Sequence, residues 1–315
     1  MVRKHTRRAA KAAFAVSIGV ALLIGLSACG GGGSKSPTTT GSVAKNPTIT
    51  IGTKNFGEEY ILGQLYGQAL QVKGFPVVFK GSFGSSELAD KAITSGKMNF
   101  YPEYTGIIVL DLAKGTSPKS AAATYTTAKT FEETRGLTLL KPTPFADVDT
   151  FTMLTSTAQK DGLNTMSDLS KLSSFSYAGY PECQTRITCI LGMKQIYGLK
   201  HITFIPIGNI SVYTLLDGGK AIGGDGFSTD PQQLDKKYTA LVDDKHIFGF
   251  QNVAPVLSKS LLKGASGTLL EQTVNAVSAK LTLPAMQAMN KAYYVDKATA
   301  KSIAQKFLKA NGLAG

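Results

Sequence analysis

Between residues 47 and 106 strand-like and helix-like segments alternate, and this order limits the possible folds more than any other feature of the chain. Pro47-Thr-Ile-Thr-Ile-Gly52 alternates polar and apolar side chains at the two-residue period of a half-buried strand. Asn55-Phe-Gly-Glu58 then reads as an N-cap with a capping-box acid, and Ile61, Leu65 and Ala69 recur every four residues, as on one face of a helix. A second strand is expected at 75–79, a second helix at 86–94 and a third strand at 98–101. Strand, helix, strand, helix, strand in this order argues for a mainly parallel sheet with helices on both faces, because parallel neighbours need a crossover connection.

The alternation continues. Strands are expected at 137–140, 151–156, 175–177 and 202–205, and helical signals at 167–171, 191–197 and 211–218. From residue 265 onward the pattern is helical, at 268–282, 284–292 and 296–311. A chain of 315 residues is too long for one hydrophobic core, so two α/β lobes are expected. The chain would cross between them near 147–150 and again near 249–254. One lobe is then 47–147 plus 251–315 and the other 148–250. No internal sequence repeat is evident.

The N-terminus reads as an address. Residues 1–11 carry five basic residues and no acid, and a short apolar run follows from 12 to 26. That is the layout of a secretory signal peptide, and the run is short for a membrane span. Leu26-Ser-Ala-Cys29 matches the lipobox of bacterial lipoproteins, which predicts cleavage after residue 28 and lipidation of Cys29. The Gly/Ser/Thr-rich stretch 29–46 reads as a flexible tether. Expected localisation is therefore the extracytoplasmic face of a cell membrane, held by acyl chains.

The formal charge of +13 falls to +8 once the five basic residues of 1–28 are removed. No run of Lys and Arg interleaved with aromatics follows, so no nucleic-acid partner is expected. Cys183 and Cys189 fit an oxidising compartment, either as a disulfide closing a short loop around Arg186 or as two buried free thiols, with the bridge preferred. No metal or cofactor is expected, since a zinc site needs more ligands with closer pairing. An enzyme is the weaker reading. Past the leader only His201 and His246 remain, Gly81-Ser-Phe-Gly-Ser85 is no nucleophile elbow, and Gly223-Gly-Asp-Gly226 lacks the Lys and Ser/Thr of a phosphate loop.

Several stretches together carry a resemblance to a known family. They are Ile51-Gly-Thr-Lys-Asn-Phe56 with Glu59-Tyr-Ile-Leu62, Tyr101-Pro-Glu-Tyr-Thr-Gly106, Ser167-Asp-Leu169, Pro181-Glu182 with Arg186, Phe227-Ser-Thr-Asp230, Leu241-Val-Asp-Asp-Lys245 and Asn252-Val-Ala-Pro255. In combination the chain resembles, from about 48 to 313, the substrate-binding lipoproteins of ABC importers for glycine betaine, choline and carnitine (the ProX/OpuC-type osmoprotectant family).

The resemblance implies a two-lobed periplasmic-binding-protein fold of the Venus-flytrap, type II kind, with a ligand cleft between the lobes. It implies a monomer that hands a small molecule to permease and ATPase subunits. A quaternary ammonium has no N–H to donate, so a box of aromatic faces holds it by cation–π attraction. Carried over by position, the box is Tyr104, Phe151, Phe227 and Phe250, with Lys54, Asp149 and Arg186 at polar positions around it and Glu87 at a flanking specificity position. The chain departs from the family pattern in having Phe at 151, 227 and 250, where Tyr is usual, and Ile107 where Thr is usual. Those changes make the expected pocket more apolar and admit a ligand with a larger apolar or aromatic part.

Overall fold

The computed structural model describes residues 46–208 and 210–314. The expected signal segment 1–28, the expected lipidation site Cys29 and the expected tether as far as residue 45 lie outside the described residues.

The first half of the chain alternates as expected: β1 (Ile49–Thr53), α1 (Gly57–Val72), β2 (Val77–Ser82), α2 (Ser86–Thr94), β3 (Phe100–Tyr104), α3 (Thr105–Ile107), α4 (Ala121–Glu133) and β4 (Leu137–Leu139). A wider π turn, Ile108–Leu112, continues α3. Next come β5 (Asp149–Leu154), α5 (Thr155–Asp161), β6 (Phe175–Gly179), α6 (Ile190–Gln195), β7 (Ile202–Pro206), α7 (Val212–Asp217), β8 (Gly223–Phe227) and β9 (Tyr238–Leu241). The chain ends with β10 (Val253–Ser258), α8 (Gly264–Ser278), α9 (Leu283–Tyr294) and α10 (Ala300–Ala310).

These strands build two five-stranded sheets, in the orders β2-β1-β3-β10-β4 and β7-β6-β8-β5-β9. In each, the first three strands are parallel, and the fourth runs against both its neighbours. The fourth strand of the first sheet, β10, arrives only after the whole second sheet has been made. The two sheets therefore repeat one topology without a repeat in sequence, because strand order follows from crossover geometry and not from residue identity.

Each sheet has its own core. Ile61, Leu65 and Ala69 of α1 are buried with Ile49 and Ile51 of β1 and with Leu270 and Val274 of α8. Phe151, Met153, Phe175 and Tyr177 form the centre of the second. Two connections, 140–148 and 242–252, join the sheets and pair with each other through an Ala146–Asn252 bridge. Asp147 N–H donates to Gln251 O at 3.0 Å, and the Asn252 side chain donates to the Thr143 and Phe145 carbonyls at 3.1 Å each. The hinge is thus a short two-stranded ribbon.

One local expectation needs correction, and two elements escaped the sequence reading. Asn55 does not cap α1. Phe56 occupies the cap position without a side-chain bond, and Glu58 turns inward to Tyr104 and Asn290 instead of back to the helix end. Helix α4 escapes the apolar period because its sequence, AAATYTTAKTFEE, buries chiefly Ala128 and Thr124, and its start is set by the Ser120 cap. The glycine-rich stretch Gly223-Gly-Asp-Gly226 is β8, a buried strand. A Cβ at Gly223 would sit 2.1 Å from the Phe151 ring and one at Gly224 would sit 1.9 Å from Val212, so only glycine admits these neighbours.

Candidate functional site

In open α/β sheets the carboxyl ends of parallel strands leave a crevice where ligands bind. Here two such edges face each other. The first sheet contributes Lys54, Asn55 and Phe56 after β1, Ser85 and Ser86 beyond β2, and Tyr104 and Ile107 at the end of β3. The second contributes Tyr180, Glu182, Arg186 and Thr188 after β6, and Asp225 and Phe227 on β8. Asp147, Asp149 and Gln251 enter from the hinge side.

The aromatic rings come from both lobes. Phe56 and Phe227 lie parallel, with centroids 6.0 Å apart and planes 2° from coplanar. Tyr104 stacks on Phe56 at 6.3 Å, and Tyr180 stands 6.5 Å from Phe227. Of the four rings expected from sequence, Tyr104 and Phe227 line the cleft. Phe151 does not. It is wholly buried in the second core, 5.1 Å from Tyr177 and 5.7 Å from Phe175.

Strand geometry accounts for this. Asp149 and Phe151 share a face of β5, but at about 3.3 Å per residue Phe151 lies roughly 6.6 Å further from the cleft edge. Without a phenol oxygen, it meets no polar demand in that dry core. Phe250 is also absent from the cleft walls and is 36% exposed on the second hinge connection. Their places among the rings are taken by Phe56 and Tyr180. Both are readable in sequence as residues just beyond a strand's carboxyl end, had the strand-end rule been applied to β1 and β6.

The expected cations line the cleft and are already paired. Lys54 is buried, forms an ion pair with Glu103 and lies 3.4 Å from Glu59, with its ammonium 3.9 Å from the Tyr104 ring centre. Burial nevertheless pushes Glu59 up to about 8. Tyr104 donates its hydroxyl to Glu58 at 2.9 Å, and Asn290 donates to the other oxygen at 2.8 Å. Arg186 donates through Nε and Nη2 to the two oxygens of Glu87, each at 3.1 Å, a bidentate geometry. Burial alone would raise Glu87, but the bonds and charge of Arg186 outweigh it and hold the carboxyl down at about 2. Glu87 itself is not a wall of the cleft; it positions Arg186.

Among the described residues, the titratable groups of the cleft without an ion-pair partner are acids. Asp147 accepts from Thr229 Oγ1 at 2.7 Å and Asp225 from Tyr177 at 3.2 Å. Burial raises both well above the usual carboxylate range, and it pushes Asp149 up to about 7 against the pull of Arg186. Cys183 and Cys189 are joined as a disulfide with Cα atoms 5.2 Å apart. The closed loop carries Arg186 and Thr188, and Thr188 Oγ1 donates to Asp111 of the first lobe at 2.9 Å. One small loop therefore makes two polar contacts across the cleft.

Comparison with known proteins places the chain in a family and supports its fold. A family profile described as the substrate binding domain of ABC-type glycine betaine transport system matches residues 47–310. The chain is 31% identical over 286 residues to the glycine-betaine-binding protein of Pseudomonas aeruginosa, covering 86% of this chain and 90% of that one. It is 25% identical over 284 residues to the glycine betaine-binding protein YehZ of Escherichia coli, covering 84% and 90%. A solved structure described as a glycine betaine/carnitine/choline ABC transporter is similar with a TM-score of 0.68 at 23% identity, over 85% of this chain and 100% of that one. At that identity the likeness speaks for the fold.

Proposed function

Since the chain belongs to the family of substrate-binding domains of ABC-type glycine betaine transport systems, we propose that its cleft captures a quaternary-ammonium solute of the glycine betaine, choline or carnitine type. As a member of that family it is an extracytoplasmic solute-binding component of an importer and not an enzyme. The observation that carries the ligand reading is the parallel pair Phe56 and Phe227, one ring from each lobe, with Asp149 and Asp225 beside it. A trimethylammonium is attracted to ring faces at roughly 0.5–2 kcal/mol each when desolvated. Because the rings belong to different lobes, the full set of contacts exists only in the closed state, so the ligand favours closure.

The lobes in this reading are 47–147 plus 251–315 and 148–250, turning on the ribbon between them. The permease docks on the closed pair and its ATPase drives import. Cys29 is the lipid anchor and 29–46 the tether, a proposal that rests on Leu26-Ser-Ala-Cys29 alone. A second ligand reading, a quaternary ammonium bearing a ring or other apolar tail, is favoured by the groove that leads from Phe56 and Phe227 past Tyr60, Tyr293 and Tyr294. Titration calorimetry with glycine betaine, choline, carnitine and a ring-bearing quaternary amine tests both. Absence of heat with every quaternary ammonium overturns the ligand assignment.

A further inference from the structure

The charged groups lining the cleft are unequal in number and in commitment. Two cations, Lys54 and Arg186, face four acids, Asp147, Asp149, Glu182 and Asp225. Both cations already have carboxylate partners outside the cavity wall, Lys54 in Glu59 and Glu103, Arg186 in Glu87. The four acids have no such partner. Among the described residues, none of the ion pairs includes any of them. What Asp147 and Asp225 receive instead are neutral hydroxyl donors. Ile107, also on the wall, offers no side-chain donor, and the Gln251 amide is spent on the Ile107 N–H and the Phe248 carbonyl.

A ligand's ammonium reaching the Phe56 and Phe227 rings thus meets acids without an ionic partner, and a ligand's carboxylate meets acids and cations that are already neutralised. Resting on the quaternary-ammonium reading above, we infer that this cleft selects ligands of net positive charge, such as choline, over zwitterions such as glycine betaine and carnitine. The positive head restores the ionic partner that Asp149 and Asp225 lack. A carboxylate on the same small molecule meets Arg186 and Lys54 with their charge already offset by Glu87 and Glu103, and it lies among acids of its own sign, which removes most of the gain. Asp149, at the mouth of β5 and on the same wall as Arg186, is the residue that sets the preference.

Calorimetric titration of the purified full chain with choline, glycine betaine and the methyl ester of glycine betaine tests this. The ester differs from glycine betaine in losing the carboxylate charge and keeps the same trimethylammonium head. Choline and the ester are expected to bind at least tenfold more tightly than glycine betaine. Glycine betaine binding as tightly as choline, or more tightly, overturns the inference and leaves the family assignment of the site standing. Failure of all three to bind overturns the quaternary-ammonium reading and the inference with it. The near-isosteric Asp149→Asn variant, with its fold checked by circular dichroism, is expected to weaken both ligands and to lower the choline-to-glycine betaine affinity ratio about tenfold. An unchanged ratio removes Asp149 from the account.

Discussion

Arg186 and Glu87 are joined across the cleft by two parallel hydrogen bonds of 3.1 Å, the arginine on the disulfide loop of one lobe and the acid at the start of α2 on the other. Beside them Thr188 reaches Asp111 at 2.9 Å. The loop closed by Cys183 and Cys189 therefore spans the cleft as a latch would, as well as lining it.

Replacing Glu87 by Gln keeps the shape and removes the charge. With the Glu87 side chain 40% exposed, solvent screens the pair and the stability loss stays at about 1 kcal/mol or less. The expected effect is on closure, read as a larger radius of gyration of the unliganded protein by small-angle X-ray scattering. Because the Glu87 carboxyl is held down at about 2, the wild-type pair contributes fully above the ordinary carboxylate range and is lost as pH falls toward 2. An unchanged radius in the variant would refute the latch.

Asp149 titrates in the opposite sense. Burial raises it to about 7, with Arg186 and Lys54 pulling it down and Asp111 pushing it up. A carboxyl whose folded value is raised contributes stability that is complete at pH values below its unfolded range and is lost as pH rises toward 7. Unliganded protein should therefore lose stability between about pH 4 and 7 through this group, and Asp147 and Asp225, raised by burial as well, act in the same direction. A bound cation favours the ionised form. Choline affinity should rise with pH up to about 7, with proton release that calorimetry in buffers of different ionisation enthalpy will detect. Uptake of protons on binding would contradict this assignment.

Ring substitutions separate cleft from core. Phe56→Ala should cost about twofold to thirtyfold in affinity, the equivalent of roughly 0.5–2 kcal/mol for one ring, with a small change in melting temperature. Phe151→Ala should do the reverse, lowering stability by about 3–5 kcal/mol through cavity formation. Its effect on affinity, measured where the variant is still folded, should be slight. Denaturant melts and titrations on the same two samples decide the point.

Removing the Cys183–Cys189 bridge with paired serines should destabilise the protein by about 2 kcal/mol on the loop-entropy account of a short closed loop. The more telling readout is ligand affinity, which should fall because Arg186 and Thr188 are no longer held toward Glu87 and Asp111. Full affinity in the serine pair would show that the loop keeps its shape without the bond.

The fold was legible wherever a local period carried it. The helix face Ile61, Leu65 and Ala69 is buried as its spacing requires, and α2 spans Ser86–Thr94 as read. Elements without such a period were missed. Helix α4 buries small residues, and β8 is a strand of glycines whose reason for existing is the Phe151 ring and Val212 pressed against it. Tyr104, Phe227, Lys54, Asp149 and Arg186, carried over by position from the family resemblance, all line the cleft.

The sequence by itself determined the two-lobed α/β class, the strand ends that meet at the cleft, the two cysteines that bracket Arg186 and the family motifs, because each depends on residues close together along the chain. Only the tertiary structure decided which rings line the cleft and which charged groups there have an ion-pair partner. Phe151 and Asp149 share one face of one strand, and distance from the sheet edge alone sends the first to the core and the second to the cleft. Lys54 and Arg186 line the cleft, and only the folded chain brings them to Glu103 and Glu87, 49 and 99 residues away in sequence. Such pairings depend on how elements pack, and no local period in the chain records them.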